Sequence, residues 1–112
     1  MPSRSIVIHT TRRQLELYEG NRLIQHYPIA VGKGATPTPH GHYTIAIKTV
    51  YPGGAFGSRW MGLSLPHYGI HGTNNPSSIG QAVSKGCIRM HNHDVENLYR
   101  YVEIGTPVII QR

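Results

Sequence analysis

The sequence predicts a mostly β single domain over residues 1–112, a β-sandwich or partly open barrel with one short covering helix near the C-terminus. Three observations carry that expectation. The 12 Ile, 7 Val and 8 Thr far outnumber the 6 Leu and 5 Ala, a balance that favours strands. Only one segment repeats apolar residues at helical spacing, Val95, Leu98, Tyr99 and Val102. The 112 residues suffice for one modest core and leave little room for a second.

Taken in order, Arg4–His9 and Gln14–Tyr18 read as strands, the second with Leu15 and Leu17 on one face. Glu19-Gly20-Asn21 is a tight turn, because Gly20 supplies a positive φ. Arg22–Val31 returns as a longer strand, with Pro28 marking an edge or a bulge. Gly32–Gly41 is a loop stiffened by Pro37 and Pro39. Tyr43–Val50 alternates, which sets Tyr43, Ile45 and Ile47 on a buried face. Pro52–Gly62 is Gly-rich and irregular, an ordinary surface loop or a flap, and holds the single Phe and the single Trp. The helix is expected to begin with Asn92 as N-cap and to stop by Gly105 and Pro107. Thr106–Gln111 is a last strand.

Charge narrows the function. The net charge is +6, and residues 20–93 contain no carboxylate while holding six Lys or Arg and seven of the eight His. Paired-carboxylate mechanisms and carboxylate cages for calcium or magnesium have no parts there. A basic surface of this kind either binds an anionic ligand or only keeps the protein soluble. No apolar stretch is long enough to span a membrane, and the N-terminus does not read as a secretory signal peptide. One cysteine forbids an internal disulfide.

Two short segments share a design. Alternation in Tyr68–His71 separates Ile70 from His71, and in Cys87–Met90 it separates Ile88 and Met90 from Cys87 and Arg89. If both strands bury their apolar faces and lie side by side, His71, Cys87 and Arg89 share a cleft. The fifteen residues 72–86 between them lack a periodic pattern, as functional or disordered loops do. Gly86 clears space beside the sulfur. A cysteine nucleophile needs a base, which His71 can supply, and flanking Lys85 and Arg89 would lower the thiol pKa. With no carboxylate nearby, a backbone carbonyl or a hydroxyl would orient the imidazole, and amides around Gly86 and Cys87 could hold an oxyanion. Taken alone, a single cysteine is more often a small buried hydrophobe, and His71 is as often structural as catalytic. His40 with His42, or His91 with His93, could face one way as metal ligands, but zinc-type spacings are missing, so no metal and no cofactor are expected.

The stretch IHGTNNPSSIGQAVSKGCIRMHNHDVENLY resembles the signature of the L,D-transpeptidase catalytic domain, the YkuD-type family. LELYEGNRLIQHYPIAVGKGATPTPHGHYTI resembles that family's opening strands and its TPTPxG loop, so the likeness covers about Ile6 to Ile110. It implies a β-sandwich-like fold and acyl transfer on bacterial peptidoglycan stem peptides at the cell envelope. Cys87 corresponds to the nucleophile, His71 to the general base and the Gly72 carbonyl to its orienting partner. Gly86 and Cys87 amides would hold the oxyanion, and Ser84 would position the loop. Arg89, Lys85, Trp60 and Asn92 are the candidate substrate contacts; Arg89 suits a stem carboxylate. Lys85 stands where the family more often has His. Two other classes stay open, an L,D-carboxypeptidase with water as acceptor and a non-catalytic basic module gripping an anionic polymer. Against nucleic acid as that polymer, Phe56 and Trp60 sit in one loop instead of interleaving with the basic residues.

Overall fold

A computed structural model describes residues 3–112. Ten strands, one helix and two short 3-10 turns (Gly54–Phe56 and Pro76–Ser78) account for the regular structure. In chain order the strands are β1 Arg4–His9, β2 Gln14–Glu19, β3 Arg22–Pro28, β4 Val31–Gly32, β5 Gly41–Val50, β6 Arg59–Leu63, β7 Gly69–His71, β8 Ala82–Ser84, β9 Ile88–Arg89 and β10 Pro107–Gln111. Eight of them form one curled sheet, a half-barrel in the order β3-β2-β1-β10-β5-β6-β7-β9, while β4 and β8 pair separately. The helix α1, Asn92–Tyr99, covers the open side. Among the described residues no helix is long and apolar enough to cross a membrane.

The C-terminal strand closes the fold. β10 lies parallel to β1, with Ile6 opposite Val108 and Ile8 opposite Ile110, and antiparallel to β5. It thereby joins the N-terminal hairpin to the half of the sheet that carries Tyr68–His71. Ile6, Ile8, Leu15, Leu17, Val108 and Ile110 fill the concave face with Ile45, Met61, Ile70 and Ile88. Val95 and Leu98 of α1, together with Met90 and Val102, complete this core.

Several boundaries differ from the sequence reading, each for a local reason. The expected Arg22–Val31 strand breaks after Pro28, which lacks an N–H for the ladder; β3 is the sheet's edge and β4 turns away to pair with β8. That pairing gives the loop 72–86 a strand of its own. The helix starts at Asn92 with His91 as its cap residue, so Asn92 is not the N-cap, and it ends at Tyr99, well before Gly105. The loop after β5 ends at Ser58, because Trp60 already lies on β6.

The clearest correction concerns β5. Ile45 pairs with Leu63 and Ile47 with Gly62, so Ala46 is an extra residue and the alternation flips. Ile47 is therefore 55% exposed and Lys48 takes the inward position. Lys48 Nζ donates to the carbonyls of Tyr99 (2.8 Å) and Val102 (2.6 Å) and sits 4.0 Å from the centre of the Tyr99 ring. It caps the negative end of α1, where terminal carbonyls lack helical partners. Lys48→Met should cost about 1–3 kcal/mol of stability by leaving these carbonyls without a donor. Ile47→Thr should stay within about 0.5 kcal/mol. Urea unfolding of the two variants checks the flip.

Candidate active site

The segments carrying His71 and Cys87 are neighbours. β7 and β9 pair in parallel, Ile70 opposite Ile88 and His71 opposite Arg89. Both isoleucines are buried in the core, at 0% and 1% exposure, so alternation sends His71 and Arg89 to the other face. Carried back one residue, the register sets Cys87 beside Gly69, whose backbone hydrogen bonds to the sulfur. Cys87 thus lies one diagonal step from His71 on a shared face. The thiol is half-buried and its Sγ donates to the His67 carbonyl at 3.6 Å.

His71 is buried, and its Nδ1 lies 2.5 Å from the Gly72 carbonyl. A carbonyl only accepts, so Nδ1 carries the proton and Nε2 keeps its lone pair. Trp60, opposite His71 in the β6–β7 ladder, stacks on the imidazole with ring centres 5.5 Å apart and planes 22° from parallel. Phe56 meets both rings edge-on at 5.0 Å. Burial pushes His71 down to about 4 from 6.5; the Gly72 carbonyl pulls it up and Arg89 pushes it further down. The imidazole is therefore neutral at rest.

The thiol rests on a turn held entirely by neutral groups. Ser84 Oγ donates to the Cys87 carbonyl (2.7 Å) and accepts the Gly86 N–H (3.0 Å). Thr38 Oγ1 donates to the Gly86 carbonyl and Thr36 Oγ1 to the Ser84 carbonyl, at 2.9 and 3.0 Å. Gly86 has φ 124°, and a Cβ there would lie 2.5 Å from the Tyr68 ring. The amide of Gly86, expected to bind an oxyanion, is thus engaged by Ser84. Burial raises the Cys87 thiol, outweighing the Gly69 backbone hydrogen bond and the charge of Arg89. The expectation of a thiol lowered by its basic flank is corrected here: Lys85 points to solvent, and desolvation wins over Arg89.

The remaining candidates separate. Arg89 is half-buried beside both reactive groups, and none of the ion pairs among the described residues includes it. Lys85 is exposed. Asn92 works on the backbone: its Oδ1 accepts the N–H groups of Ser58 and Thr73, both at 3.1 Å, and its Nδ2 donates to the Thr73 carbonyl at 3.0 Å. It ties the loop before β6 to the segment just past His71. Sequence reasoning from spacing gave no role to Thr36, Thr38, Phe56 or Tyr68; the TPTP run was the available signal for the first two. Among the described residues no group of three or more His, Cys, Asp or Glu could hold a metal, and His91 and His93 stack instead at 5.6 Å. A cavity of about 370 Å³ beside α1, lined by Arg59, His93, Glu96 and Arg100 among others, contains none of His71, Cys87, Arg89, Lys85, Trp60 and Asn92.

A family model described as the L,D-transpeptidase catalytic domain matches residues 3–110. The YkuD protein of Bacillus licheniformis is 57% identical over 105 residues, which cover 94% of this chain and 64% of that relative. The chain therefore spans less than two thirds of that relative's length. The catalytic domain of the E. faecium L,D-transpeptidase superposes with a TM-score of 0.83 at 24% identity, covering 99% of this chain and 98% of that one. L,D-transpeptidase 3 of Mycobacterium tuberculosis, in complex with a faropenem-derived adduct, gives 0.86 at 20% identity, covering 99% and 61%. At these identities the two structures speak for the fold.

A neutral buried His71 has a consequence for stability. Its folded-state value, about 4, lies below the ordinary 6.5. Above pH 6.5 the imidazole is neutral folded or unfolded and adds no pH dependence. As the pH falls from 6.5 toward 4 the unfolded chain takes up a proton that the folded one refuses, so stability drops, by on the order of 3 kcal/mol in all. Urea midpoints should show this slope in the wild type and lose it between pH 6.5 and 4.5 in His71→Gln. An equal slope in both proteins would place the titration elsewhere.

Proposed function

The chain belongs to the L,D-transpeptidase catalytic-domain family, and from that premise we propose that it is a cysteine acyltransferase of peptidoglycan stem peptides at the cell wall. The observation that carries this reading is the β7–β9 pairing, which sets His71 and Cys87 on one face with the His71 Nδ1 already committed to Gly72. Nε2 takes the thiol proton as Sγ attacks the carbonyl between the L-centre of the third stem residue and the terminal D-Ala. The proton then passes to the departing amine, D-Ala leaves, and Cys87 holds a thioester. The amine of a second stem attacks next, gives its proton to Nε2 and releases the thiolate. The product is a cross-link between two third-position residues. The Cys87 amide is the oxyanion donor, since the Gly86 amide is engaged by Ser84. No cofactor enters this sequence.

Arg89 supplies the counter-charge for a stem carboxylate. It is half-buried on the face of Cys87, in a chain region that contains no carboxylate of its own. Such a charge-assisted contact holds ground state and transition state alike. Lys85, exposed beside the turn, adds positive field at the entrance.

Incubating the protein with a purified tetrapeptide muropeptide should release D-Ala and give a dimer one D-Ala lighter than two substrates. Cys87→Ser should do neither, because a serine oxygen lacks the thiol's access to an anionic nucleophile. A tripeptide product with no dimer would make water the acceptor, and no product at all would point to a binding module. A carbapenem should add the mass of one inhibitor to the peptide carrying Cys87. In Arg89→Met, KM should rise with little change in kcat, lowering kcat/KM roughly ten- to a hundredfold. Unchanged kcat/KM would reduce Arg89 to a packing residue.

A further inference from the structure

Trp60 is the single tryptophan of the chain, and its place is fixed from three sides. It faces His71 across the β6–β7 ladder. Beneath its indole lie two glycines: a Cβ on Gly69 would come within 2.6–2.9 Å of three indole carbons, and one on Gly62 within 3.0 Å of Nε1. Phe56 closes against its edge. The sheet thus keeps a floor free of side chains on which the indole lies, stacked against the imidazole at 5.5 Å.

This arrangement answers a need that the rest of the site leaves open. When His71 takes the thiol proton it becomes a buried cation, and among the described residues its only polar partner on the far side is the neutral Gly72 carbonyl. Arg89 opposes that cation. A triad meets the same demand with a carboxylate. We propose that the Trp60 indole meets it here: its π face stabilises the imidazolium that forms as Cys87 gives up its proton. Trp60 is then a positioning residue for thiol activation, acting through His71 and touching no substrate atom in that role. The step is one proton transfer, from Sγ to Nε2, leaving a thiolate and an imidazolium; no bond to the indole forms. Because an aromatic face attracts a cation more strongly than a neutral ring, the interaction grows along the reaction.

The inference rests on His71 acting as the base, and it can be tested apart from turnover. A single tryptophan allows biosynthetic replacement by fluorotryptophans carrying one to four fluorines on the benzo ring, which drain the π face while keeping the ring's shape. Iodoacetamide alkylation of Cys87 at neutral pH reads the thiolate population directly. Its logarithmic rate should fall linearly with fluorine count, roughly tenfold over the series. D-Ala release from the tetrapeptide should show the same trend in kcat with KM unchanged. Trp60→Phe should retain part of the rate and Trp60→Leu less. Melting temperatures of the fluorinated proteins establish that the fold is kept. An alkylation rate independent of fluorine count, in proteins with unchanged melting, would overturn the proposal and leave Trp60 as packing. A falling alkylation series in a protein that releases no D-Ala would uphold the role of Trp60 and count against the transpeptidase reading. A flat series with normal D-Ala release would do the reverse.

Discussion

The site depends on the parallel pairing of β7 with β9. Ile70 and Ile88 face each other across that pair and are almost fully withdrawn from water. Each is worth about 1.5–3 kcal/mol of burial, so a slip of one residue would expose apolar surface worth several kcal/mol. The same slip would turn His71, Cys87 and Arg89 into the core. The register that stabilises the sheet is therefore the register that assembles the chemistry. Two polar fasteners secure its ends. Asn92 binds the Thr73 backbone where β7 leaves the sheet, and Ser84 folds the turn that delivers Cys87 to β9.

The electrostatics follow from how little charge this face contains. Its supports are the hydroxyls of Thr36, Thr38 and Ser84, the Asn92 amide and the Gly72 carbonyl, all neutral. Burial then acts on both reactive groups in the same sense, raising Cys87 and lowering His71. The resting state is a neutral thiol beside a neutral imidazole. Arg89 does not alter this, because it favours the thiolate and disfavours the imidazolium, and the two effects oppose each other in a proton transfer between them. A carboxylate arriving at Arg89 would quench both. With burial acting on both groups, the thiol does not stand as a thiolate in the resting protein.

Much of this was legible in the sequence wherever periodicity and burial agreed. The strands β1, β2 and the last strand are expected from the sequence and the common face of His71, Cys87 and Arg89 follows from alternation, and the β7–β9 pairing places those three residues on one face. The reading failed where one residue changes the phase. Nothing in Tyr43–Val50 announces that Ala46 is an extra residue, because the bulge is imposed by pairing with β6. The short strands β4 and β8 were invisible for a similar reason: two or three residues have no period, and their pairing is a tertiary fact. Asn92 invited the N-cap reading by its position before an apolar stripe, but Ser58 and Thr73 offer it three backbone bonds that a cap could not match.

The glycines reveal what a period cannot. In the sequence most of them read as turns and loop punctuation, and Gly20 is one, while Gly86 reads as clearing space beside the sulfur. Around the site they are sockets. Gly62 and Gly69 leave the floor on which Trp60 lies, Gly86 leaves room for Tyr68, and Gly57 with Gly72 leaves the niche filled by the Asn92 amide. Apart from Gly62, which shares β6 with Trp60, each missing Cβ on one segment receives a side chain from another, so the two segments are held at a fixed distance by shape. A socket needs no charge and no hydrogen bond of its own, which suits a face whose supports are neutral. It also explains why Trp60 and Asn92 read as substrate contacts and not as seated partners: a socket is defined by the pair, and only the empty half is written as glycine.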